Sequence, residues 1–134
     1  MLFRSPLGIH LIADFLECDI SVINNAEAVE KIMTEAVKIS GATIIKPFFH
    51  RFSPHGISGI IVVAESHFAI HTWPEHSAAA VDIFSCGEFN YVDALIHIKK
   101  SIKSSANSVM QIYRGNVSGN DTIDKELDCK KIII

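Results

Sequence analysis

The sequence has few cysteines, no long apolar run and no excess of positive charge, and each absence excludes a class of protein. Three cysteines in 134 residues, with no C-x-x-C pair, indicate reduced thiols and a cytoplasmic protein without a disulfide framework. The longest uninterrupted apolar run, Ile60–Ala64, is far shorter than the roughly 20 residues of a transmembrane helix. The first residues do not resemble a signal peptide. A net charge of −3 lacks the basic excess of nucleic-acid-binding proteins. We therefore expect neither a membrane nor a nucleic acid as partner.

The remaining composition, 49% hydrophobic and 20% charged, is typical of a globular chain with a real core. We expect one domain over residues 1–115. Gly115–Asp121 is rich in Gly, Asn and Ser and is predicted to be a linker. Thr122–Ile134 is then a tail that docks through its terminal isoleucines, so that residues 116–134 lie outside the domain.

The hydrophobic periodicity predicts two helices among several strands. Asn24 or Asn25 caps the first helix and Gly41 ends it, while Asn90 caps the second. The first helix has an apolar stripe with helical spacing at Val29, Ile32, Met33, Ala36 and Val37. Extended patterns occur at Gly8–Cys18, Thr43–Phe52, Ile57–Ala64, Phe68–Thr72, Ala79–Phe84 and Val109–Tyr113. Pro47 indicates an edge strand or a bulge.

The predicted order, β-α-β-β-β-β-α-β, favours an α+β fold because strands occur in adjacent runs. We expect a two-layer α/β sandwich with a mainly antiparallel sheet and helices on one face. The bare face of such a sheet is expected to be covered by a second subunit, giving a homodimer or a larger assembly.

Chemically active side chains are concentrated in one stretch. Four of the seven histidines lie between His55 and His76. The same stretch holds Glu65, Ser66 and Glu75, and Cys86 follows it. This concentration identifies the candidate site before any family is considered.

The residues alone leave three kinds of chemistry open. A metal site at His67 and His71 is disfavoured because residues four apart on a strand lie about 13 Å from each other, and we expect no metal. A conventional serine hydrolase lacks the G-x-S-x-G turn around Ser66. A self-processing serine is the third possibility. Ser66 follows Glu65 at a sharp break between strands, where its hydroxyl could attack the preceding carbonyl. Elimination of the resulting ester would leave a dehydroalanine, which hydrolyses to a pyruvoyl group.

A long motif decides among these possibilities. Residues 56–76 read G-I-S-G-I-I-V-V-A-E-S-H-F-A-I-H-T-W-P-E-H, and residues 81–87 read V-D-I-F-S-C-G. These stretches closely resemble the prokaryotic S-adenosylmethionine decarboxylase proenzymes, which are pyruvoyl-dependent enzymes of polyamine synthesis. The block E-S-H-x-x-I-H-T-x-P-E-H and the distal Cys-Gly are highly specific. The resemblance extends from about Gly8 to Gly115.

The resemblance implies a role for each residue of the site. Cleavage would fall between Glu65 and Ser66, giving chains 1–65 and 66–134, and Ser66 would become the covalent pyruvoyl cofactor that forms a Schiff base with S-adenosylmethionine. The product would be S-adenosylmethioninamine, the aminopropyl donor for spermidine. The remaining implied roles are proton acceptor in processing for His71, proton donor in catalysis for Cys86, assistance in processing for Ser58, adenine stacking for Phe52 and ribose binding for Glu75.

Two rival functions remain open, and several residues are expected to have ordinary structural roles. Archaeal pyruvoyl-dependent arginine decarboxylases keep the same processing motif, so the pocket would decide the substrate. An uncleaved, non-catalytic regulatory paralogue is the non-enzyme alternative. Cys18 and Cys129 are expected in the core, and Asp82 is expected as an interface or hydrogen-bonded carboxylate. Strict alternation along Ser66–Thr72 also predicts that Ser66 lies on the opposite side of its strand from His71.

Overall fold

A seven-stranded sheet, antiparallel at every pairing, is the centre of the computed structural model, which describes residues 5–120, 122–123 and 125–134. The strand order is β2-β3-β4-β5-β1-β6-β7. The strands are β1 (Ser5–Leu16), β2 (Ile44–Arg51), β3 (Ile57–Val63), β4 (Ser66–Trp73), β5 (Ala78–Ser85), β6 (Ala106–Val117) and β7 (Asp128–Ile132). β2 is an edge strand with a register shift between Ile44 and Lys46, as Pro47 predicted.

Among the residues that the structure describes, three α-helices form the second layer: α1 (Ile20–Ile23), α2 (Ala26–Ser40) and α3 (Tyr91–Ser101). α2 begins where the Asn25 side chain accepts a hydrogen bond from the Ala28 N–H at 3.1 Å. It ends at Gly41, whose φ of 86° is readily adopted by glycine. Asn90 caps α3 in the same way by accepting from the Asp93 N–H at 3.3 Å. Both predicted caps and the predicted stop of α2 are confirmed.

The core lies between the helices and one face of the sheet. Along β3, β4 and β5 the burial alternates, and the buried members face the helical layer. The predicted stripe of α2 is buried against these residues. The predicted two-layer sandwich with helices on one face is therefore confirmed. No helix within the described residues is long and apolar enough to span a membrane.

The other side of the sheet, which we call the open face, carries no helix among the described residues. Its members are the alternate residues of the central strands. Ile12, Ile60 and Val62 on it are 40%, 38% and 40% exposed, respectively. The strand register assigns to it, among others, His10, Ile12 and Asp14 from β1, Phe48 and His50 from β2, Ser58, Ile60 and Val62 from β3, His67, Ala69 and His71 from β4, and Ala80, Asp82 and Phe84 from β5.

The end of the chain differs from the prediction. β6 continues through Gly115 to Val117, so the predicted linker is wrong over its first residues, and Asp121 lies outside the described residues. The tail does dock: β7 pairs with β6, and Ile132 and Ile134 pack against the core. Cys129 is exposed on this edge strand, so its predicted core position is wrong, whereas Cys18 is buried as expected.

Candidate active site

Glu65 and Ser66 lie at the tight connection between β3 and β4. Ala64 and Glu65 form the turn, and Ser66 is the first residue of β4, paired with Val63. The turn is held to the chain before β2 at two points. The Glu65 Oε1 accepts from the Thr43 N–H at 3.0 Å, and the Ala64 N–H donates to the Thr43 carbonyl at 2.9 Å. The bond between Glu65 and Ser66 is therefore fixed in position by its neighbours.

Two donors from Cys86 converge on the Glu65 carbonyl oxygen. The Cys86 N–H donates to it at 3.0 Å and the thiol Sγ lies 3.2 Å from it. Cys86 follows β5, where the Ser85 Oγ accepts from the Gly87 N–H at 3.0 Å and so holds the turn. Donors aimed at a carbonyl oxygen stabilise the negative charge that develops there when its carbon is attacked. This pair can thus assist attack at the carbon of Glu65.

A second group of predicted residues lies on the open face. Ser58 and His71 are directly opposite each other on β3 and β4, and their Oγ and Nδ1 atoms are 2.8 Å apart. Both line a cavity of about 410 Å³ together with Phe52. The remaining lining residues are Phe48, His50, Gly59, Ile60 and Ala69. Three of the predicted site residues are therefore brought together in one largely apolar pocket.

Within one chain, Ser66 and His71 are far apart. They are five residues apart on one strand, or about 16 Å at the usual rise. They also face opposite sides, as alternation predicted: the cross-strand partners of Ser66, Val63 and Ser85, are each 2% exposed and face the helices. The site therefore consists of two separate groups, one at the hairpin turn and one in the open-face cavity.

Glu75 is near the cavity in sequence but is not among the residues that line it. It lies in the 3-10 turn Pro74–His76, and its carboxylate is paired with the His55 ring. Trp73, just before it, is 45% exposed and its ring centroid is 6.5 Å from that of His71. An aromatic side chain thus lies beside the cavity residue His71, whereas the Glu75 carboxylate is held by His55.

The open face also holds a polar cluster whose arrangement the sequence did not predict. The His10 Nε2 lies 3.1 Å from the Asp82 Oδ1, so the expected hydrogen-bonded role of Asp82 is confirmed. Arg114 lies over the Phe84 ring at 5.3 Å. Burial, reinforced by the neighbouring His10 and opposed by Asp82, lowers the pKa of His67 below its usual value. The sequence shows polar residues at alternate strand positions, but it does not show the strand register that brings them together.

Within the described ranges, no set of three or more His, Cys, Asp or Glu side chains is grouped so as to hold a metal ion.

Comparison with known proteins gives a consistent result. The family model described as S-adenosylmethionine decarboxylase matches residues 9–115. The chain is 47% identical over 110 residues to the S-adenosylmethionine decarboxylase proenzyme of Thermotoga petrophila, covering 81% of this chain and 85% of that one. It is 44% identical over 112 residues to the proenzyme of Acetivibrio thermocellus, covering 83% and 90%.

Solved structures agree with the sequence comparisons. The adenosylmethionine decarboxylase of Aquifex aeolicus superposes with a TM-score of 0.77 at 30% identity, over 91% of this chain and 97% of that one. The Trypanosoma brucei AdoMetDC monomer, at 14% identity, matches with a TM-score of 0.61 over 84% of this chain and 52% of its own length. At that identity the second match shows the fold alone.

Proposed function

The chain belongs to the S-adenosylmethionine decarboxylase family and decarboxylates S-adenosylmethionine, and we propose that it does so after cleaving itself between Glu65 and Ser66. The relatives described above at 30% identity or more are all named as adenosylmethionine decarboxylases, so the arginine alternative is not favoured. The observation that carries the self-cleavage proposal is the pair of Cys86 donors on the Glu65 carbonyl oxygen.

Self-cleavage begins with attack by the Ser66 Oγ on the carbonyl carbon of Glu65. The Cys86 N–H and thiol stabilise the charge on the oxygen, the hydroxyl proton passes to the Ser66 nitrogen as the C–N bond breaks, and an ester joins Glu65 to the Ser66 side chain. A base then removes the proton from the Ser66 Cα. The electron pair forms the Cα=Cβ bond, the Cβ–O bond breaks and Glu65 leaves as a carboxylate. Hydrolysis of the dehydroalanine releases ammonia and leaves a pyruvoyl group on chain 66–134.

The base of this step is His71 of a second copy of the chain. Its own His71 lies about 16 Å along the strand from Ser66, too far for proton transfer. The open face supports such a partner because Ile12, Ile60 and Val62 leave apolar area uncovered on it. A homodimer or larger assembly with sites at the interface would bring the cavity of one copy to the hairpin turn of the other.

The substrate fits the chemistry of the open-face cavity. Phe48 and Phe52 give it an aromatic wall, which suits both an adenine ring and the positively charged sulfonium. Glu75, four residues after the cavity residue His71, would supply a carboxylate for the ribose hydroxyls. A pyruvoyl group would supply a carbonyl that condenses with the substrate amine and accepts the electrons left by carbon dioxide. The Cys86 thiol, already beside Glu65 and Ser66, donates the final proton to the α-carbon.

The test is the intact mass of the purified protein alongside Ser66→Ala. We expect the parent to give chains 1–65 and 66–134, the second lighter by one ammonia than its sequence and blocked to Edman sequencing. Ser66→Ala, which lacks the attacking hydroxyl, should stay a single folded, inactive chain. A readable Ser-His-Phe start would contradict pyruvoyl formation, and cleavage of the alanine variant would indicate an outside protease. A single uncleaved parent chain would favour the regulatory paralogue.

A further inference from the structure

Three polar side chains form a row across β2, β3 and β4 on the open face. His50 is directly opposite Ser58 in the register of β2 with β3, and Ser58 is directly opposite His71 in that of β3 with β4. Side chains in such positions have Cβ atoms about 4.5–5.5 Å apart. All three line the same cavity. Ser58 and His71 have assigned roles, whereas His50 has none.

The hydrogen bond between Ser58 and His71 restricts where protons can lie. The His71 Nδ1 is 2.8 Å from the Ser58 Oγ. If His71 is to accept a proton at Nε2, its Nδ1 must carry a hydrogen and donate it to the Ser58 Oγ, because a neutral imidazole has one N–H. The single Ser58 hydroxyl proton must then point away from His71. It needs an acceptor, or the opposite tautomer of His71 becomes favourable.

His50 is suited to be that acceptor. Of the side chains that line the cavity, those other than Ser58 and the two histidines are hydrocarbon, or absent in the case of Gly59. His50 faces Ser58 from the side away from His71. Its ring is held by an edge-on contact with Phe52, with centroids 4.6 Å apart and planes at 79°. A neutral imidazole always offers one unprotonated nitrogen.

We propose that His50 is a positioning residue for self-processing, which accepts a hydrogen bond from the Ser58 hydroxyl, directly or through one water, and so keeps the Nε2 of His71 available as the base. This inference rests on the proposed self-cleavage. In the step concerned, the proton moves from the Ser66 Cα to Nε2, the electron pair forms the Cα=Cβ bond and Glu65 leaves as a carboxylate. His50 itself gains and loses no proton in that step.

Protonation of His50 reverses the arrangement. An imidazolium has no acceptor, so Ser58 would donate to the His71 Nδ1 and the proton of His71 would move to Nε2. On its own strand, Lys46 lies on the same face four residues away, about 13 Å at the usual rise, and the adjacent Arg51 faces the other side of the sheet. β3 has no titratable side chain, and α2 packs on the other face of the sheet. β4 contributes His71 in the cavity and His67 further along, while His55 in the adjoining turn is paired with Glu75. Elimination should therefore require both His50 and His71 to be neutral.

The experiment measures self-processing of freshly translated chain, so that no substrate is involved. Cell-free product is diluted into buffers from acid to alkaline pH, and the fragments are followed on denaturing gels. His50→Gln supplies an amide oxygen as acceptor but does not titrate. His50→Phe keeps the ring against Phe52 but offers no acceptor. His97→Gln, on α3, is the matched histidine control.

In the parent and in His97→Gln we expect the rate at acid pH to fall with the square of the proton concentration, since two groups must be neutral. In His50→Gln the processing rate should fall in simple inverse proportion to the proton concentration, because only His71 must be neutral. At alkaline pH its rate should be close to the parent's. In His50→Phe the processing rate should be lower by at least about tenfold at every pH. The upper limit is the ~10⁴-fold loss of rate that a wrong histidine tautomer causes in a serine protease triad.

Three outcomes separate the alternatives. Processing by His50→Phe at the parental rate and pH profile would overturn the inference while leaving self-cleavage intact. A simple proportional fall in the parent would overturn it as well. Absence of cleavage in the parent itself would instead contradict the proposed function. His50→Gln carries the test even where the phenylalanine variant fails to fold.

Discussion

In the proposed function Cys86 acts through two different atoms, and only one of them depends on its side chain. Its backbone N–H donates to the Glu65 carbonyl whatever residue is present, whereas the thiol adds a second donor to the same oxygen. Because the carbonyl is attacked only during processing, loss of the thiol should weaken that step without abolishing it. In decarboxylation, by contrast, no backbone group can replace the thiol as the donor of the final proton. Processing and catalysis should therefore respond differently to substitution.

We expect Cys86→Ala and Cys86→Ser to separate these two functions. Serine keeps an O–H donor on Glu65 and should process faster than alanine. Neither is an acid comparable to a thiol, so both should lose decarboxylation by about 10²–10⁴-fold, the usual contribution of a positioned acid or base. The measurement is carbon dioxide release per processed chain, with cleavage quantified separately. Near-parental turnover by the serine variant would make Cys86 a packing residue.

The predictability of the site also differs by residue. The proposed roles of Ser66, His71 and Cys86 follow from the resemblance carried by a contiguous motif and its distal Cys-Gly. The contact of Cys86 with Glu65 joins residues 21 apart and depends on two hairpins, so no local pattern indicates it. His50 is likewise assigned only by the register of β2 with β3. Sequence shows which side chains can perform the chemistry, and strand register determines which of them meet.

Elements with strong periodicity were predictable and short polar ones were not. The α2 stripe and the apolar β3 follow directly from residue spacing. The strand β7 reads D-C-K-K-I, is exposed at its three central residues and has no alternation of hydrophobicity to indicate a strand. Its position comes from pairing with β6, which continues past the predicted boundary at Gly115. α1, four residues long, is too short to show a helical repeat.

At the scale of elements, Thr72 joins β4 to β3 and to α1. Its buried Oγ1 accepts from the Ile57 N–H at 3.0 Å and donates to the Ile23 carbonyl at 2.9 Å. Thr72→Val keeps the shape but leaves both buried groups without this partner, each at about 1–3 kcal/mol. We expect the free energy of unfolding to fall by roughly 2–4 kcal/mol.

The measurement is urea unfolding on the uncleaved Ser66→Ala background, where one chain unfolds as a unit. Thr43→Val, at an exposed threonine, is the matched control and should change stability by less than about 0.5 kcal/mol. Equal effects of the two substitutions would show that the Thr72 hydroxyl does not stabilise the fold.

For the whole molecule, the central fact is that the two groups of proposed catalytic residues are separated. The hairpin turn holds Ser66 but not His71, and the cavity holds His71 but not Ser66. The open face also has exposed apolar side chains. Two copies packed through this face would remove apolar area from water and complete two sites at once. A monomer would complete none. Oligomeric state and processing should therefore be coupled, which a complementation experiment can detect.

We expect Ser66→Ala and His71→Ala, each unable to process alone, to process when co-expressed. In a mixed pair, the Ser66 of the His71→Ala chain meets the intact His71 of the Ser66→Ala chain, because the groups come from different copies. Only the His71→Ala chain should be cleaved, and differently sized tags on the two chains make this visible on a gel. A second co-expression, of His71→Ala with itself under two tags, controls for background cleavage. If His71 acted within its own chain, the mixture would stay uncleaved, since neither chain holds both residues, and the shared site would be rejected.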